Sequence, residues 1–173
     1  MKNLKNWDKK NWLSSDAYIS RLNHFLKKKI SFNKEIKILD IGCGRGKIIS
    51  RLSKQYQMNN LPLGIDVVKH KDTAKRIRFV QVNALKYLSK TKEKFDVILF
   101  KQSIHFFKVL EIKKILKFSK KNLINNGKII IFALDPKKIH WPLFKIFKTK
   151  LIKSLIKDEI VLDLIKSSFR EYK

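Results

Sequence analysis

Residues 38–46 read ILDIGCGRG, an apolar run that ends in three glycines separated from one another by single residues. The apolar pattern over residues 36–41 predicts a β-strand, and the apolar side chains of residues 47–56 recur at helical spacing. Glycines between a strand and a helix let the backbone turn tightly and approach a ligand closely. The free N–H groups at the start of the helix attract an anionic group. This stretch therefore predicts a ligand-binding loop.

The next predicted strand, residues 61–66, ends in an acidic residue, Asp66, which follows Gly46 by 20 residues. A carboxylate at this point of a doubly wound sheet accepts two hydrogen bonds from a ribose diol. The loop and Asp66 together predict the nucleoside-binding half of such a sheet.

The spacing of the glycines bears on which nucleoside is bound. The dinucleotide fingerprint is G-x-G-x-x-G, but the third glycine here is Gly46, and Lys47 stands at the fingerprint position. Asp40 also stands two places before the first glycine. An anionic pyrophosphate would not favour a carboxylate there, whereas a cofactor with a cationic amino group and a sulfonium would. An NAD-binding protein is therefore the least favoured of the hypotheses considered.

The rest of the chain alternates strands with helices, and its strands lack polar alternation, which is typical of a parallel sheet covered on both faces. The further predicted elements are strands over residues 77–82 and 95–100, a helix over 109–124, a turn over 125–127 and a strand over 128–134. We therefore predict a doubly wound, Rossmann-like α/β fold with about five parallel strands. The predicted organisation is an N-terminal helical cap (1–34), the core (35–135) and C-terminal helices of the same domain (136–173).

The chain resembles the class I S-adenosylmethionine-dependent methyltransferases over roughly residues 30–135. Five motifs carry the resemblance in the family's order and spacing, and they are residues 38–46, 64–66, 82–84, 95–107 and 126–131. The resemblance implies S-adenosylmethionine as the cofactor and methyl transfer as the activity.

The resemblance also implies roles for individual residues. The loop residues Gly42, Cys43, Gly44 and Gly46 would pass under the methionine moiety. The remaining cofactor contacts implied are Asp40 on the amino group, Asp66 on the ribose hydroxyls, Asn83 and Ala84 beside the adenine, and Gln102 in the pocket wall. Asn83 stands where the family usually has aspartate, so its side-chain oxygen would accept from the adenine amino group without charge. Asn83 could instead serve as the N-cap of the following helix. Cys43 could instead be a small buried side chain that fills space in the loop.

His105 is the candidate proton handler, because it follows the predicted fourth strand at the edge where doubly wound folds bind ligands. Packing against the cofactor or capping the following helix is the alternative interpretation. Methyl transfer to an acceptor that is already nucleophilic needs mainly in-line positioning, so no catalytic base is required.

Several enzyme classes are excluded by residues that the chain lacks. Residues 101–104 read Lys-Gln-Ser-Ile, so the Asn/Asp-Pro-Pro-aromatic motif of amino-methylating nucleic-acid enzymes is missing. Cys43 is the only cysteine, which excludes a cysteine-nucleophile pyrimidine methylase and a disulfide framework. Tyr87 is followed by Lys90, one residue too early for the Tyr-x-x-x-Lys dyad of short-chain dehydrogenases. No Cys/His cluster has zinc spacing, and no metal is expected.

The net charge is +27, from 41 basic and 14 acidic residues. Such a field attracts nucleic acid, yet only six of the basic residues are arginine, which bidentate phosphate and base contacts favour. An A/T-rich genome, which enriches lysine, isoleucine, asparagine and phenylalanine together, explains the composition equally well. The preferred acceptor is therefore a small molecule. An RNA-directed methyltransferase and a truncated, non-catalytic cofactor-binding module are the alternatives.

The longest apolar run, residues 129–134, is far shorter than a membrane span, and the N-terminus is not a secretory signal. These features predict a cytoplasmic protein without a membrane partner. Residues 139–157 form a basic amphipathic stretch, which could lie on a membrane, but a helix that covers the sheet is the preferred interpretation.

Both ends of the chain carry further expectations. After Phe169 only four residues remain, too few for the family's final strand hairpin. The fifth strand would then be an exposed apolar edge, covered by the C-terminal helices or a dimer partner, unless the chain is truncated. At the N-terminus, Trp7, Trp12 and Tyr18 would either form a lid over the cofactor or pack on the sheet edge.

Overall fold

The computed structural model describes residues 16–132. Its elements in chain order are α1 (Asp16–Lys29), β1 (Ile38–Ile41), α2 (Lys47–Gln55), β2 (Leu63–Asp66), β3 (Arg78–Gln81), α3 (Ala84–Lys90), β4 (Phe95–Lys101), a 3-10 turn (Ile104–Phe106), α4 (Val109–Lys121) and β5 (Leu123–Phe132). Within this part of the chain, no helix is both long and apolar enough to cross a membrane.

The five strands form one sheet in the order β3-β2-β1-β4-β5, and every neighbouring pair is parallel. The chain moves outward from β1 in one direction and then returns to place β4 on the other side of β1. This reversal creates a crevice at the carboxyl ends of β1 and β4, where such sheets bind ligands. The predicted doubly wound fold of about five parallel strands is confirmed.

The two faces of the sheet bury separate apolar clusters. Leu39 and Phe100 belong to the cluster beneath α3 and α4, whereas Ile38 and Leu99 belong to the cluster beneath α1 and α2. Alternate residues of a strand point to opposite faces, so these central strands are apolar on both sides. By the same alternation, Asp40 lies on the face that α1 and α2 cover. A charged residue is thus placed inside an apolar layer.

The fifth strand begins earlier than predicted. Phe95 pairs with Leu123, but the next pairing joins Val97 to Lys128, so the intervening residues of β5 loop out of the ladder. The predicted turn at 125–127 is therefore an irregularity within β5, and Asn126 adopts a left-handed φ of 66° there. The strand therefore begins with the single pairing at Leu123, bulges at the predicted turn, and pairs regularly with β4 from Lys128 onward.

Helix α4 ends at Lys121, three residues before the predicted end. The next residue, Asn122, is buried, and its side-chain Nδ2 donates to the carbonyl of Leu88 at 2.8 Å. Its own carbonyl accepts from the N–H of Phe95 at 2.9 Å. These bonds tie the end of α4 to α3 and to the start of β4.

Some expectations fall outside residues 16–132. They are the positions of Trp7 and Trp12, the C-terminal helices over 136–173, and the absence of a final hairpin. The dimer expected at β5 stays a prediction. The division into a cap, a core and C-terminal helices is likewise an expectation.

Candidate functional site

The glycine loop joins β1 to α2 and folds back over the end of β2. The N–H groups of Gly42 and Cys43 both donate to the carbonyl of Ile65, at 2.9 and 3.1 Å. Gly42, Gly44 and Gly46 all have positive φ values, of 69°, 56° and 67°. Side chains other than glycine are strained in this conformation. The loop is thus held in one left-handed path directly over the edge of the sheet.

Two of these glycines are required for different reasons. A Cβ on Gly42 would collide with the Cβ of Ser103, because the loop after β4 lies against it. A Cβ on Gly44 would meet nothing within 4 Å, so the space beside Gly44 is open. Gly42 therefore permits close packing between two loops, and Gly44 borders a space that a ligand can occupy.

Asp66 closes the loop from the end of β2. Its Oδ2 accepts from the N–H of Gly44 at 2.8 Å, and its Oδ1 accepts from the N–H of Val68 at 3.0 Å. A carboxylate has about four lone-pair sites, so each oxygen can accept another hydrogen bond. The side chain is partly exposed. Asp66 therefore shapes the glycine loop and can still bind a diol.

Asp40 at the end of β1 is in a different environment. Its side chain is fully buried, and its Oδ2 lies 2.6 Å from the Nζ of Lys101, whose side chain is 6% exposed. Burial raises the pKa of Asp40, the Lys101 ammonium acts in the opposite direction, and the charge of Asp66 raises it further. Oδ1 has no hydrogen-bond partner within residues 16–132.

Lys101 is a site residue that the sequence pattern did not predict. It is the last residue of β4, and Asp40 pairs with Leu99 in the sheet register, so Lys101 falls on the same face as Asp40. The available signal was a lysine at the end of an apolar run, residues 97–100. Recognising its partner required knowing that β1 and β4 are neighbours.

Tyr18 of α1 lies near this ion pair and packs against the apolar cluster beneath α1 and α2. Burial and, to a smaller extent, the charge of Asp40 raise the pKa of Tyr18 to about 12. Its hydroxyl is therefore protonated across the neutral range. The contact of Tyr18 with this apolar cluster favours a packing role for its ring. The predicted lid also includes Trp7 and Trp12, which lie outside the described residues, so the lid stays a prediction.

Cys43 is buried in the loop, and its side chain packs against Gly64 of β2. A Cβ added to Gly64 would be only 2.7 Å from the Sγ of Cys43. Burial, followed by the charge of Asp40, raises the pKa of the Cys43 thiol well above its usual range. A thiol in this state is a poor nucleophile. The side chain acts as a small filler between β1 and β2.

Asn83 and Ala84 follow β3 at the same edge of the sheet. The side-chain oxygen of Asn83 accepts from the N–H groups of Leu85 and Lys86, at 2.9 and 3.3 Å, and so caps α3. Its side-chain NH₂ group is the part left to face a ligand, as a donor. Ala84 is buried under α3. Contact of either residue with adenine stays a prediction.

The turn after β4 is fixed to β1. Gln102 has a left-handed φ of 54°, and its N–H donates to the carbonyl of Phe132 at 2.8 Å. Ser103 is buried and donates through Oγ to the carbonyl of Ile41 at 2.6 Å. Strained backbone of this kind is frequent at functional sites. The place of Gln102 in the pocket wall stays a prediction.

The proposed base, His105, belongs to the short 3-10 turn after Ser103. Its side chain lies outside the part of the chain that the structure describes, so its role as a base stays a prediction. All the other predicted site residues lie at the carboxyl edge of the sheet, in the last residues of β1 and β2, in the loops that follow β1, β3 and β4, or at the start of α3.

Comparison with known proteins identifies the family. Residues 38–127, more than half of the chain, match the model of a methyltransferase domain family. The chain belongs to this family and carries a class I S-adenosylmethionine-dependent methyltransferase domain. A search of curated proteins finds no match.

Solved structures share the fold. An O-methyltransferase family protein from Burkholderia thailandensis is 13% identical, with a TM-score of 0.61, and the match covers 88% of this chain and 52% of that one. An amino pentose methyltransferase from Micromonospora echinaspora, solved with bound S-adenosylmethionine, is 13% identical with a TM-score of 0.55, and the match covers 70% of this chain and 52% of that one. A sugar N-methyltransferase from Streptoalloteichus is 12% identical with a TM-score of 0.57, and the match covers 79% of this chain and 56% of that one. The chain spans about half the length of these proteins.

The residues present fit the cofactor of this family, S-adenosylmethionine. The space beside Gly44 is open, and Asp66, which accepts the Gly44 N–H, retains acceptor capacity. The buried Oδ1 of Asp40, which has no partner among residues 16–132, suits a cationic donor such as an amino group.

Proposed function

We propose that this chain is a methyltransferase that transfers the methyl group of S-adenosylmethionine to a small-molecule acceptor. One observation carries the proposal: the hydrogen bond from Gly44 N–H to Asp66, which fixes an open glycine loop beside a carboxylate with free acceptor capacity. This combination suits a nucleoside whose ribose and sulfur-bearing chain both reach the crevice.

Each group of the site has a defined task in this proposal. Asp66 would hold the ribose hydroxyls, and Asp40 would accept from the amino group of the methionine part. The bound cofactor supplies an electrophilic methyl group on a sulfonium sulfur. The loop and the turn at Gln102 and Ser103 restrict where that part of the cofactor can lie, because both are tied to the sheet by hydrogen bonds. Positioning of this kind accounts for much of the rate in a transfer to a nucleophilic acceptor.

A small acceptor is favoured by two features. Two of the structural neighbours are described as a sugar N-methyltransferase and an amino pentose methyltransferase. The chain also lacks the Pro-Pro-aromatic sequence after β4, where residues 101–104 read Lys-Gln-Ser-Ile. The cytoplasmic location expected from the sequence belongs to the same proposal.

Calorimetric titration with S-adenosylmethionine tests the cofactor site. We expect micromolar binding by the wild type and a loss of about 10- to 100-fold in Asp66→Ala, the effect of removing hydrogen bonds to a charged group. Asp96→Ala is the matched control, because Asp96 also accepts a backbone N–H, from Lys37 at 2.8 Å, but at the opposite edge of the sheet. Absent binding by the folded wild type would overturn the proposal.

An RNA acceptor is the second candidate, and the surface of α4 supports it. The exposed charged residues on this helix are all lysines, and they are Lys113, Lys114, Lys117, Lys120 and Lys121. If RNA is the acceptor, methylation of RNA should fall steeply with salt, because phosphate contacts release counterions. Formation of S-adenosylhomocysteine with small metabolites at a rate insensitive to salt would favour the first candidate. Stoichiometric cofactor binding without turnover would favour a non-catalytic module.

A further inference from the structure

The Asp40–Lys101 ion pair contains more hydrogen-bonding capacity than the protein uses. An ammonium has three donors, and the contact that the structure gives for Lys101 Nζ among the described residues is with Asp40 Oδ2, at 2.6 Å. Both carboxylate oxygens of Asp40 are buried, and in the described part of the chain neither has a hydrogen-bond partner; Oδ2 meets the Lys101 ammonium as an ion pair, and Oδ1 meets no cation there. A spare donor and a spare acceptor therefore stand side by side on neighbouring strands.

Such an arrangement is costly unless a ligand completes it. Buried polar groups in folded proteins are almost always paired, and an unmade hydrogen bond to a charged group is more costly than one to a neutral group. The groups also lie at the carboxyl ends of β1 and β4, where the strand order reverses and doubly wound sheets bind ligands. The unused capacity thus coincides with the binding crevice.

A ligand that carries an ammonium and a carboxylate close together satisfies both groups with opposite charges, which makes stronger hydrogen bonds than neutral groups would. An α-amino acid has both on one carbon, and so does the methionine part of S-adenosylmethionine. We propose that Lys101 is a cofactor-binding residue: its ammonium donates to the α-carboxylate of the cofactor while the neighbouring Oδ1 of Asp40 accepts from the α-ammonium. This inference rests on the proposed cofactor site and adds Lys101 to it.

The pair holds each group ready for this contact. Lys101 fixes one oxygen of Asp40 and leaves the other free, and Asp40 keeps the flexible lysine side chain inside the site. The two charges cancel, so the site selects a zwitterion rather than an ion of either sign. A mere structural brace between β1 and β4 would need no spare donor or acceptor.

The test compares two ligands by calorimetry with the whole chain. S-adenosylhomocysteine has the amino-acid end, whereas 5′-methylthioadenosine has the same adenosine and thioether without it. We expect Lys101→Met to weaken binding of the first by about 10- to 100-fold and binding of the second by less than about twofold. Lys101→Arg, which keeps the charge, should recover part of the loss.

Two further variants guard against trivial explanations. Lys54→Met removes one exposed positive charge from α2 and should leave both affinities unchanged. If Lys101→Met fails to fold because Asp40 is left alone, the double variant Asp40→Asn with Lys101→Met removes both charges and can be measured instead. This double variant should also lose S-adenosylhomocysteine selectively.

The outcomes separate this inference from the proposed function. Wild-type protein that binds neither ligand would overturn both. Wild-type binding of both ligands, with equal effects of Lys101→Met on the two affinities or no effect on either, would overturn the role of Lys101 alone. That role would also be overturned if the double variant bound S-adenosylhomocysteine as tightly as the wild type.

Discussion

Two aspartates end neighbouring strands of this sheet, and their surroundings differ completely. Asp66 is partly exposed and accepts the N–H groups of Gly44 and Val68. Asp40 is fully buried, faces the Lys101 ammonium and has one oxygen without a partner in the described part of the chain. We call Asp66, Gly44 and Val68 the ribose corner, and Asp40, Lys101, Gly42 and Ser103 the buried corner.

The difference shows how one residue type serves two purposes. In the ribose corner the carboxylate accepts backbone N–H groups and stays in contact with solvent, so its negative charge remains hydrated and carries little desolvation penalty. In the buried corner the carboxylate depends on a neighbouring cation, because an isolated buried charge is strongly unfavourable. The ribose corner should therefore contribute mainly to ligand binding, and the buried corner to both folding and binding.

The largest expected effect is on stability when the buried pair is broken. Asp40→Ala leaves the Lys101 ammonium buried without its counter-charge and should lower the free energy of unfolding by about 3–5 kcal/mol. Asp66→Ala should cost only about 1–2 kcal/mol, because its partners can reach water. Urea denaturation followed by circular dichroism measures both. Equal losses in the two variants would contradict the comparison.

The two glycines give the next contrast. Gly42→Ala brings a Cβ into Ser103 and strains a left-handed residue, so we expect a loss of about 2–4 kcal/mol in the free energy of unfolding. Gly44→Ala meets no atom and should cost only about 1–2 kcal/mol from the backbone. The Gly44 variant should nevertheless bind S-adenosylmethionine about tenfold more weakly, since its Cβ fills the open space. The reverse ranking of stabilities would refute this contrast.

A smaller effect concerns the hydroxyl of Ser103. Ser103→Ala removes the 2.6 Å hydrogen bond to the Ile41 carbonyl and should cost about 1–2 kcal/mol of unfolding free energy. Ser119 is the matched control, because its buried Oγ has no partner in the described part of the chain. Ser119→Ala should be neutral or slightly stabilising. Thermal unfolding of both variants decides whether the bond, rather than the burial of serine, matters.

The smallest effect lies on the outer side of the glycine loop. Asp72 is half exposed and pairs with Arg45 at 2.9 Å and with Lys47 at 3.6 Å. Its slight burial alone would raise the pKa of Asp72, but Arg45 and, more weakly, Lys47 hold the pKa below its usual value. The folded state therefore binds fewer protons than the unfolded state between the two pKa values. The stabilisation is complete above the ordinary aspartate pKa and is lost as the pH falls through the lowered pKa of the folded state.

Asp72→Asn should accordingly cost about 0.5 kcal/mol or less at pH 7. The difference from the wild type should disappear as the pH falls through the acid range, where Asp72 is protonated in both states. Urea denaturation at pH 7 and at about pH 2, well below the ordinary aspartate pKa, measures this change. A difference that persists at the lower pH would show that packing, not charge, is responsible.

The predictable part of this protein is local. Residues 38–46 and Asp66 predict the strand, the loop and the acid, because glycine and apolar periodicity act over a few residues. Lys101 escapes such a prediction because its partner, Asp40, lies on another strand, far away in sequence. The predicted start of the fifth strand at residue 128 is wrong, because Leu123 already pairs with Phe95 before residues 124–127 leave the ladder.

The amino-acid sequence by itself determined the alternation of strands and helices, the position of the glycine loop and the two carboxylates at strand ends. Only the tertiary structure decided which neighbours those carboxylates meet. The bond from Ser103 to Ile41 spans 62 residues, and the pairing of Asp40 with Lys101 depends on β4 lying beside β1. Such contacts depend on the order of strands in the sheet, since strand order brings together side chains whose chemistry no short segment contains.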